Sequence, residues 1–302
     1  MNRSPKDRLE AFRPAHDHLV CIDSDGCAFD TMGIKQRECF CPWMISHFGL
    51  QPVAEAAREC KVFADLYSKT RGANRHVTIK RILTELLPSH PRVRARRFSV
   101  PRYPHYFAWV DNPESLLSNE GLKREIETTS DPAARRELEG ILAWSERVNW
   151  AVGEIVKGIP PFPGVRESLE RLEGKADVVV VSATPLEALL REWKEHDIDR
   201  YAALICGQEM GTKAEHIATV GREYPRDRVL MIGDAPGDLR AAKSSDALFY
   251  PIVPGEEEDA WSLFVDEALD FFFGGGYASA YERTLLERFD RVLPEAPPWE
   301  VR

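Results

Sequence analysis

The sequence predicts an α/β protein: a parallel sheet with helices on both faces, interrupted after its first strand by a mainly helical insert. Three observations predict it. Residues 165–255 alternate short apolar runs with helix-period segments, the pattern of a right-handedly wound parallel sheet. One of those runs, DVVVV at 177–181, is continuous and β-branched, as in strands covered on both faces. Between residues 30 and 160 the apolar residues recur at three- and four-residue spacing, as in helices.

The first strand is read at His18–Ile22 (HLVCI), and it ends in the turn sequence Asp23-Ser24-Asp25-Gly26. The insert follows. Its helices are expected over EAARECKVFADLYSKT (55–70), VTIKRILTELL (77–87) and PAARRELEGILAWSERVNWAVGEIVKG (132–158), with a proline-bearing, arginine-rich connection at 88–104. The sheet resumes after IPPFPGV (159–165). The DVVVV strand ends in Ser182-Ala183-Thr184-Pro185, where Thr184 reads as a helix N-cap and Pro185 as the first helical residue of LEALLREWKEH. YAALICG (201–207) reads as strand and turn, KAEHIATVGREY (213–224) as helix, RVLMIGD (228–234) as strand, APGDLRAAKSS (235–245) as helix and LFYPIV (248–253) as strand. An acidic run, an aromatic run (FFFGGG) and a last helix (ASAYERTLLERF, 278–289) complete the chain. The expected boundaries are therefore 15–32 and 160–255 for the core, 33–159 for the insert, and 256–302 for a C-terminal extension packing on the core or on another subunit.

Composition narrows the class. In 302 residues, 43% are hydrophobic and 29% charged, a mix that suits a folded globular chain. The formal net charge of -9 disfavours nucleic acid, which normally needs a basic stripe. The N-terminal residues lack an apolar signal region, and no run of about 18 apolar residues suggests a membrane span, so a cytoplasmic protein without a membrane partner is expected. The cysteines (21, 27, 39, 41, 60 and 206) form no CxxC pair and read as free thiols.

The chemistry lies where the apolar runs stop. Asp23, Asp25, Ser182 and Asp234 all stand at predicted strand ends, where parallel sheets place their sites. Four aspartates form two pairs, Asp23 with Asp25 and Asp234 with Asp238. On a helix the second pair would share a face. Each like-charged pair at about 4 Å costs roughly 1 to 4 kcal/mol, a penalty a divalent cation removes. All-oxygen ligation favours a hard ion, and magnesium is usual where phosphate completes its shell. Lys213 lies between the pairs and could balance both nucleophile and phosphate. The Ser182 hydroxyl and the N–H groups that follow it, Ala183 first, could hold phosphate oxygens at a helix N-terminus.

These segments resemble the motifs of the haloacid dehalogenase-like hydrolases. DSDGCAFD (23–30) resembles the first motif, VVVVS ending at Ser182 the second, Lys213 in GTKAEHI the third and GDAPGD (233–238) the fourth, in the family's order. FPGVRESLERL also resembles phosphatases of this group. The resemblance covers roughly residues 18–30 and 160–250 and leaves the insert and tail unmatched. It departs at Cys27-Ala28-Phe29, which replaces a commoner turn, and at the Ala after Lys213. It implies a Rossmann-like core with an inserted helical cap. It implies further that Asp23 attacks phosphorus, that Asp25 serves as acid and base, and that Asp23, the Asp25 carbonyl and Asp234 bind Mg2+. Ser182, Ala183 and Lys213 would bind the phosphoryl group. Asp238 would position a metal-bound water or Lys213, or ligate directly.

The function this implies is a magnesium-dependent phosphohydrolase acting on a small phosphorylated metabolite. A phosphomutase of the same family and a non-catalytic binding protein of the same fold are the alternatives. The same resemblance implies that dehalogenase and phosphonatase chemistry are disfavoured, since both typically lack an acid such as Asp25 two residues after the nucleophile. In the insert, Lys69, Arg71 and Arg75 within YSKTRGANRH are candidates for substrate specificity, against the plainer reading of a solvated helix end. The sequence leaves the oligomeric state open.

Overall fold

The computed structural model describes residues 4–278 and 280–300; residues 1–3 of the N-terminal stretch and Ser279 of the expected last helix lie outside them. The chain divides into two compact units, one from Met1–Met32 and Gly158–Leu293, the other from Gly33–Lys157 and Pro294–Arg302.

The first unit is built on a five-stranded sheet of β1 (Leu19–Ile22), β2 (Asp177–Val181), β3 (Leu204–Cys206), β4 (Val229–Gly233) and β5 (Leu248–Pro251), in the order β3-β2-β1-β4-β5. Every pairing is parallel, with Leu19 opposite both Asp177 and Val229. The order proceeds outward from β1 to β3 on one side and then resumes at β4 on the other. The reversal falls between β1 and β4, and the carboxyl ends flanking such a reversal form a crevice.

Strand periodicity explains why the runs are apolar throughout. Val20, Ile22, Val178, Val180, Leu230 and Ile232 face one layer, which includes Leu169, Trp193, Trp261 and Phe264. Leu19, Cys21, Val179, Val181, Val229 and Met231 face the other, with Ile217, Ala242 and Phe289. Both faces of the sheet are thereby removed from water, as the β-branched run required.

The helices differ from expectation mainly at their ends. The one after β2 is Leu186–Glu195, with Pro185 as its N-cap residue and no side-chain cap bond, so Thr184 does not cap it. The Leu186 N–H is instead taken by Glu209 Oε2 at 2.9 Å. Lys213–Gly221 opens with a capping box, Thr212 to Glu215. Pro236–Ser244 begins two residues after Asp234 and contains Asp238, so this pair does not share a helix face: one aspartate precedes the helix and the other is in its first turn.

The second unit is helical. Its longer members are Ala54–Leu66, Asn119–Thr128 and Pro132–Ile155, around a core that includes Phe48, Tyr106, Trp109 and Trp144. Arg92 in the expected basic connection pairs with Glu55 and Glu59. The stretch from 256 onward is divided between the units. Helices Glu257–Leu263 and Ala280–Val292 belong to the first, whereas the segment from Pro294 belongs to the second. There the Pro294 carbonyl accepts from Lys69 N–H, and the Glu295 carbonyl from Arg81. Trp299 lies against Phe63 and His90 and donates to Ser89 Oγ. Trp299 also helps to line a cavity of about 480 Å³ with Val62, Phe63 and Tyr67. All six cysteines are buried and free.

Candidate active site

Asp23 directly continues β1, and its N–H donates to the Ile232 carbonyl of β4 at 3.0 Å. The sheet ladder thus carries Asp23 to the β1–β4 reversal. Asp234 directly follows β4. The two aspartates, 211 positions apart by subtraction of their numbers, arrive side by side because their strands are neighbours. Gly233 makes room for the third: a Cβ there would lie 2.5 Å from the Asp238 Cβ. Among the described residues, Asp23, Asp234 and Asp238 form the one acidic group whose ligand atoms all fall within 4.8 Å of one another, and all three are buried.

Lys213 joins two of them. Its Nζ lies 2.7 Å from Asp23 Oδ2 and 2.6 Å from Asp238 Oδ1. Asp238 Oδ2 accepts the N–H groups of Asp234 (3.2 Å) and Ala235 (3.0 Å). Burial pushes the Asp23 carboxyl well up, Lys213 pulls it back, and Asp238 and Asp234 push it up again. For Lys213 burial disfavours the ammonium, but Asp23 and Asp238 prevail and hold it protonated. Three buried carboxyl groups thus face one ammonium.

Asp25 is half-buried in the turn that follows, where Gly26 takes a left-handed φ of 80° that only glycine adopts freely. Its carboxylate receives two hydroxyls: Thr184 Oγ1 donates to Oδ2 at 2.7 Å, and Thr31 Oγ1 donates to Oδ1. Thr184, read from sequence as a helix cap, is thus a partner of Asp25. Thr31 carries no motif that marks it in the sequence. Its hydroxyl-bearing position one residue beyond the first-motif segment is the only signal the sequence offers.

Ser182 directly follows β2. Its N–H donates to the Cys206 carbonyl at 3.1 Å, and its Oγ accepts from Thr184 N–H at 3.1 Å. Ala183 is exposed beside it. Asp23, Asp25, Ser182, Lys213, Asp234 and Asp238 therefore all belong to the first unit, at or near the carboxyl ends of its strands. Lys69, Arg71 and Arg75 belong to the second. Arg71 is buried and donates to the Leu66 carbonyl at 2.9 Å. Arg75 donates to Asn149 Oδ1 at 2.7 Å and to Ser145 Oγ at 3.1 Å, with its guanidinium over the Phe40 ring. The Arg75 bonds tie two helices of that unit together, and the Arg71 bond closes the turn after Leu66.

The fold and site together define a doubly wound α/β protein with a lysine-bridged carboxylate cluster at its topological reversal. No protein-family model matches the chain, and no curated protein matches it. Several solved structures are similar to it at low identity. A HAD-superfamily hydrolase, subfamily IA, from Geobacter sulfurreducens is 15% identical, with TM-score 0.38, over 79% of this chain and 90% of that one. A haloacid dehalogenase-like family hydrolase from Streptococcus pneumoniae is 12% identical, with TM-score 0.42, over 81% and 90%. A predicted phosphoglycolate phosphatase from Haemophilus somnus is 14% identical, with TM-score 0.43, over 78% and 84%.

Proposed function

We propose that this chain is a haloacid dehalogenase-like phosphohydrolase that cleaves a small phosphate monoester through a covalent phosphoryl group on Asp23. One observation carries the reading: ligand atoms of Asp23, Asp234 and Asp238 lie within 4.8 Å of one another, Lys213 bridges Asp23 and Asp238, and a further carboxyl group, Asp25, stands two residues after the first. The order of motifs in the sequence supports the same assignment.

The residues present fit a divalent cation. The donors are all carboxyl oxygens, buried, and outnumber the one ammonium beside them, the set a hard ion prefers. Asp23, Asp234 and the Asp25 carbonyl would hold Mg2+. Asp238 is engaged with Lys213 and two backbone N–H groups, which favours a positioning role over direct ligation. When bound, the ion would supply charge neutralisation for an anionic substrate.

A carboxylate oxygen of Asp23 attacks phosphorus while the ester P–O bond breaks, and Asp25 gives its proton to the leaving oxygen. Asp25, now ionised, takes a proton from water as that water attacks the phosphoryl group, releasing inorganic phosphate and regenerating Asp23. Lys213 and the Ser182–Ala183 segment would hold the phosphoryl oxygens. Substrate choice we assign to the helical unit, with Lys69, Arg71 and Arg75 as candidates.

A phosphate-release screen over phosphorylated metabolites with magnesium tests this, with Asp23→Asn as the blank. The expected outcome is turnover of at least one ester by the natural sequence and none above background by the variant. Equal turnover by both would overturn the proposal.

A further inference from the structure

We infer that Trp193 is a positioning residue for the two aspartates of the turn, acting through Ser24; the inference rests on the phosphohydrolase reading. Ser24 stands between Asp23 and Asp25, and its side chain is buried. Its hydroxyl is held from two sides. Trp193 Nε1 donates to Ser24 Oγ at 3.0 Å, and Ser24 Oγ donates to Glu192 Oε2 at 2.9 Å. Trp193 is itself fully buried, with its ring edge-to-face against Phe29. One donor and one acceptor fix the rotor of a hydroxyl that would otherwise turn freely.

The backbone of the same residue organises the turn. Ser24 N–H donates to Asp23 Oδ1 at 2.8 Å. The Ser24 carbonyl accepts from Ala28 N–H at 2.9 Å and Phe29 N–H at 3.1 Å, closing the loop that presents Asp25. Fixing the Ser24 side chain therefore fixes the peptide units that orient both carboxylates. Trp193 and Glu192 belong to the helix Leu186–Glu195, whose preceding residues include Thr184, the donor to Asp25. A single helix and its leading turn thus grip the Asp23–Asp25 segment at Ser24 and at Asp25. If that helix shifted, both carboxylates would shift with it.

The test uses the full chain and the phosphate ester turned over fastest in the screen above. Trp193→Phe removes the donor and keeps a buried ring; Ser24→Ala removes the hydroxyl; the double variant closes the cycle. The expected result is a kcat about ten- to a hundredfold lower in each single variant, since small misplacements of reacting groups cost that much. KM should stay within about twofold, and the double variant should be no slower than the slower single, because both changes break one chain of contacts. Unchanged kcat in Trp193→Phe, a change in KM alone, or losses that multiply in the double variant would each overturn the inference. Melting curves show whether Ser24→Ala folds; if it does not, Trp193→Phe decides alone. An inactive Asp23→Asn beside an unimpaired Trp193→Phe sinks only the positioning role, whereas an active Asp23→Asn sinks the phosphohydrolase reading and this inference with it.

Discussion

Two hydroxyls meet one carboxylate at Asp25, and together they fix its plane. A carboxylate that must give and take protons in turn depends on such orientation. Replacing Thr184 by Val keeps the shape and removes one donor. We expect kcat to fall about tenfold, the scale of a mispositioned acid–base group, with thermal stability little altered. Steady-state kinetics beside a melting curve would show it; an unchanged kcat refutes the role. Lys213 gives a sharper case. Its removal as Lys213→Met leaves the buried aspartates without their ammonium, and stability should drop by about 3–5 kcal/mol. Added magnesium should restore part of that loss, because a cation bound only by the folded chain stabilises it. Chemical unfolding with and without the ion measures both. Asp23 and Asp234 were legible in the sequence because each ends an apolar run, and strand ends are where a parallel sheet exposes polar groups. Thr184 was not, because its partner is 159 residues away and a serine or threonine before a helix reads first as a cap.

Among elements, the strands were the most legible, since β1, β3 and β4 carry no polar side chain but a cysteine thiol and β2 has a charged residue only at its start. Helix starts were less so. The helix after β2 takes its entry from Glu209 and from the space left by Gly207, neither visible locally. A Cβ on Gly207 would stand 2.5 Å from Leu186 N and 2.7 Å from its Cα, and backbone atoms give way poorly. Gly207→Ala should therefore displace the start of that helix and the Thr184 turn before it. The expected cost is about 1–3 kcal/mol of stability, typical of overpacking. A loss of activity larger than that of Thr184→Val should accompany it, because the whole turn moves. Denaturant unfolding and kcat on the same preparation test the pair of effects. If both equal those of the natural sequence, the close approach is not tight.

At the scale of the molecule, both units bury groups that report on acid. In the helical unit His76 contacts Tyr106 at 3.0 Å inside an aromatic cage, and burial, helped by the nearby Arg75, lowers its pKa to about 3. Below about pH 6.5 the unfolded chain takes a proton that the folded chain refuses, so stability falls as pH falls from there toward 3. In the first unit Asp177 behaves oppositely in origin. Burial alone would raise its pKa, but Tyr224 Oη at 2.6 Å and the N–H groups of His16 and Ala15 at 2.9 Å outweigh it and lower it. That contribution is present above the usual carboxylate pKa and is lost as pH drops through the lowered one. Stability should thus decline in two stages, with His76→Gln flattening the first and Asp177→Asn abolishing part of the second. Urea midpoints across pH 2 to 7 would test both, and a His76→Gln profile superimposable on that of the natural sequence would refute the first. The helical insert was legible as helical, but the partners of its arginines were not: neither the Leu66 carbonyl that Arg71 meets nor the Asn149 side chain that Arg75 meets leaves a mark in the sequence.

The polypeptide passes between its two units three times, at 32/33, 157/158 and 293/294. Excising residues 33–157 as an isolated fragment would therefore omit Trp299 and bare the aromatic wall of Phe63 and Tyr67. Such a fragment should bind a hydrophobic dye and lose it on adding a synthetic peptide spanning 294–302. A carboxy-terminal truncation intended as harmless trimming would accordingly injure the insert, far along the sequence from the cut.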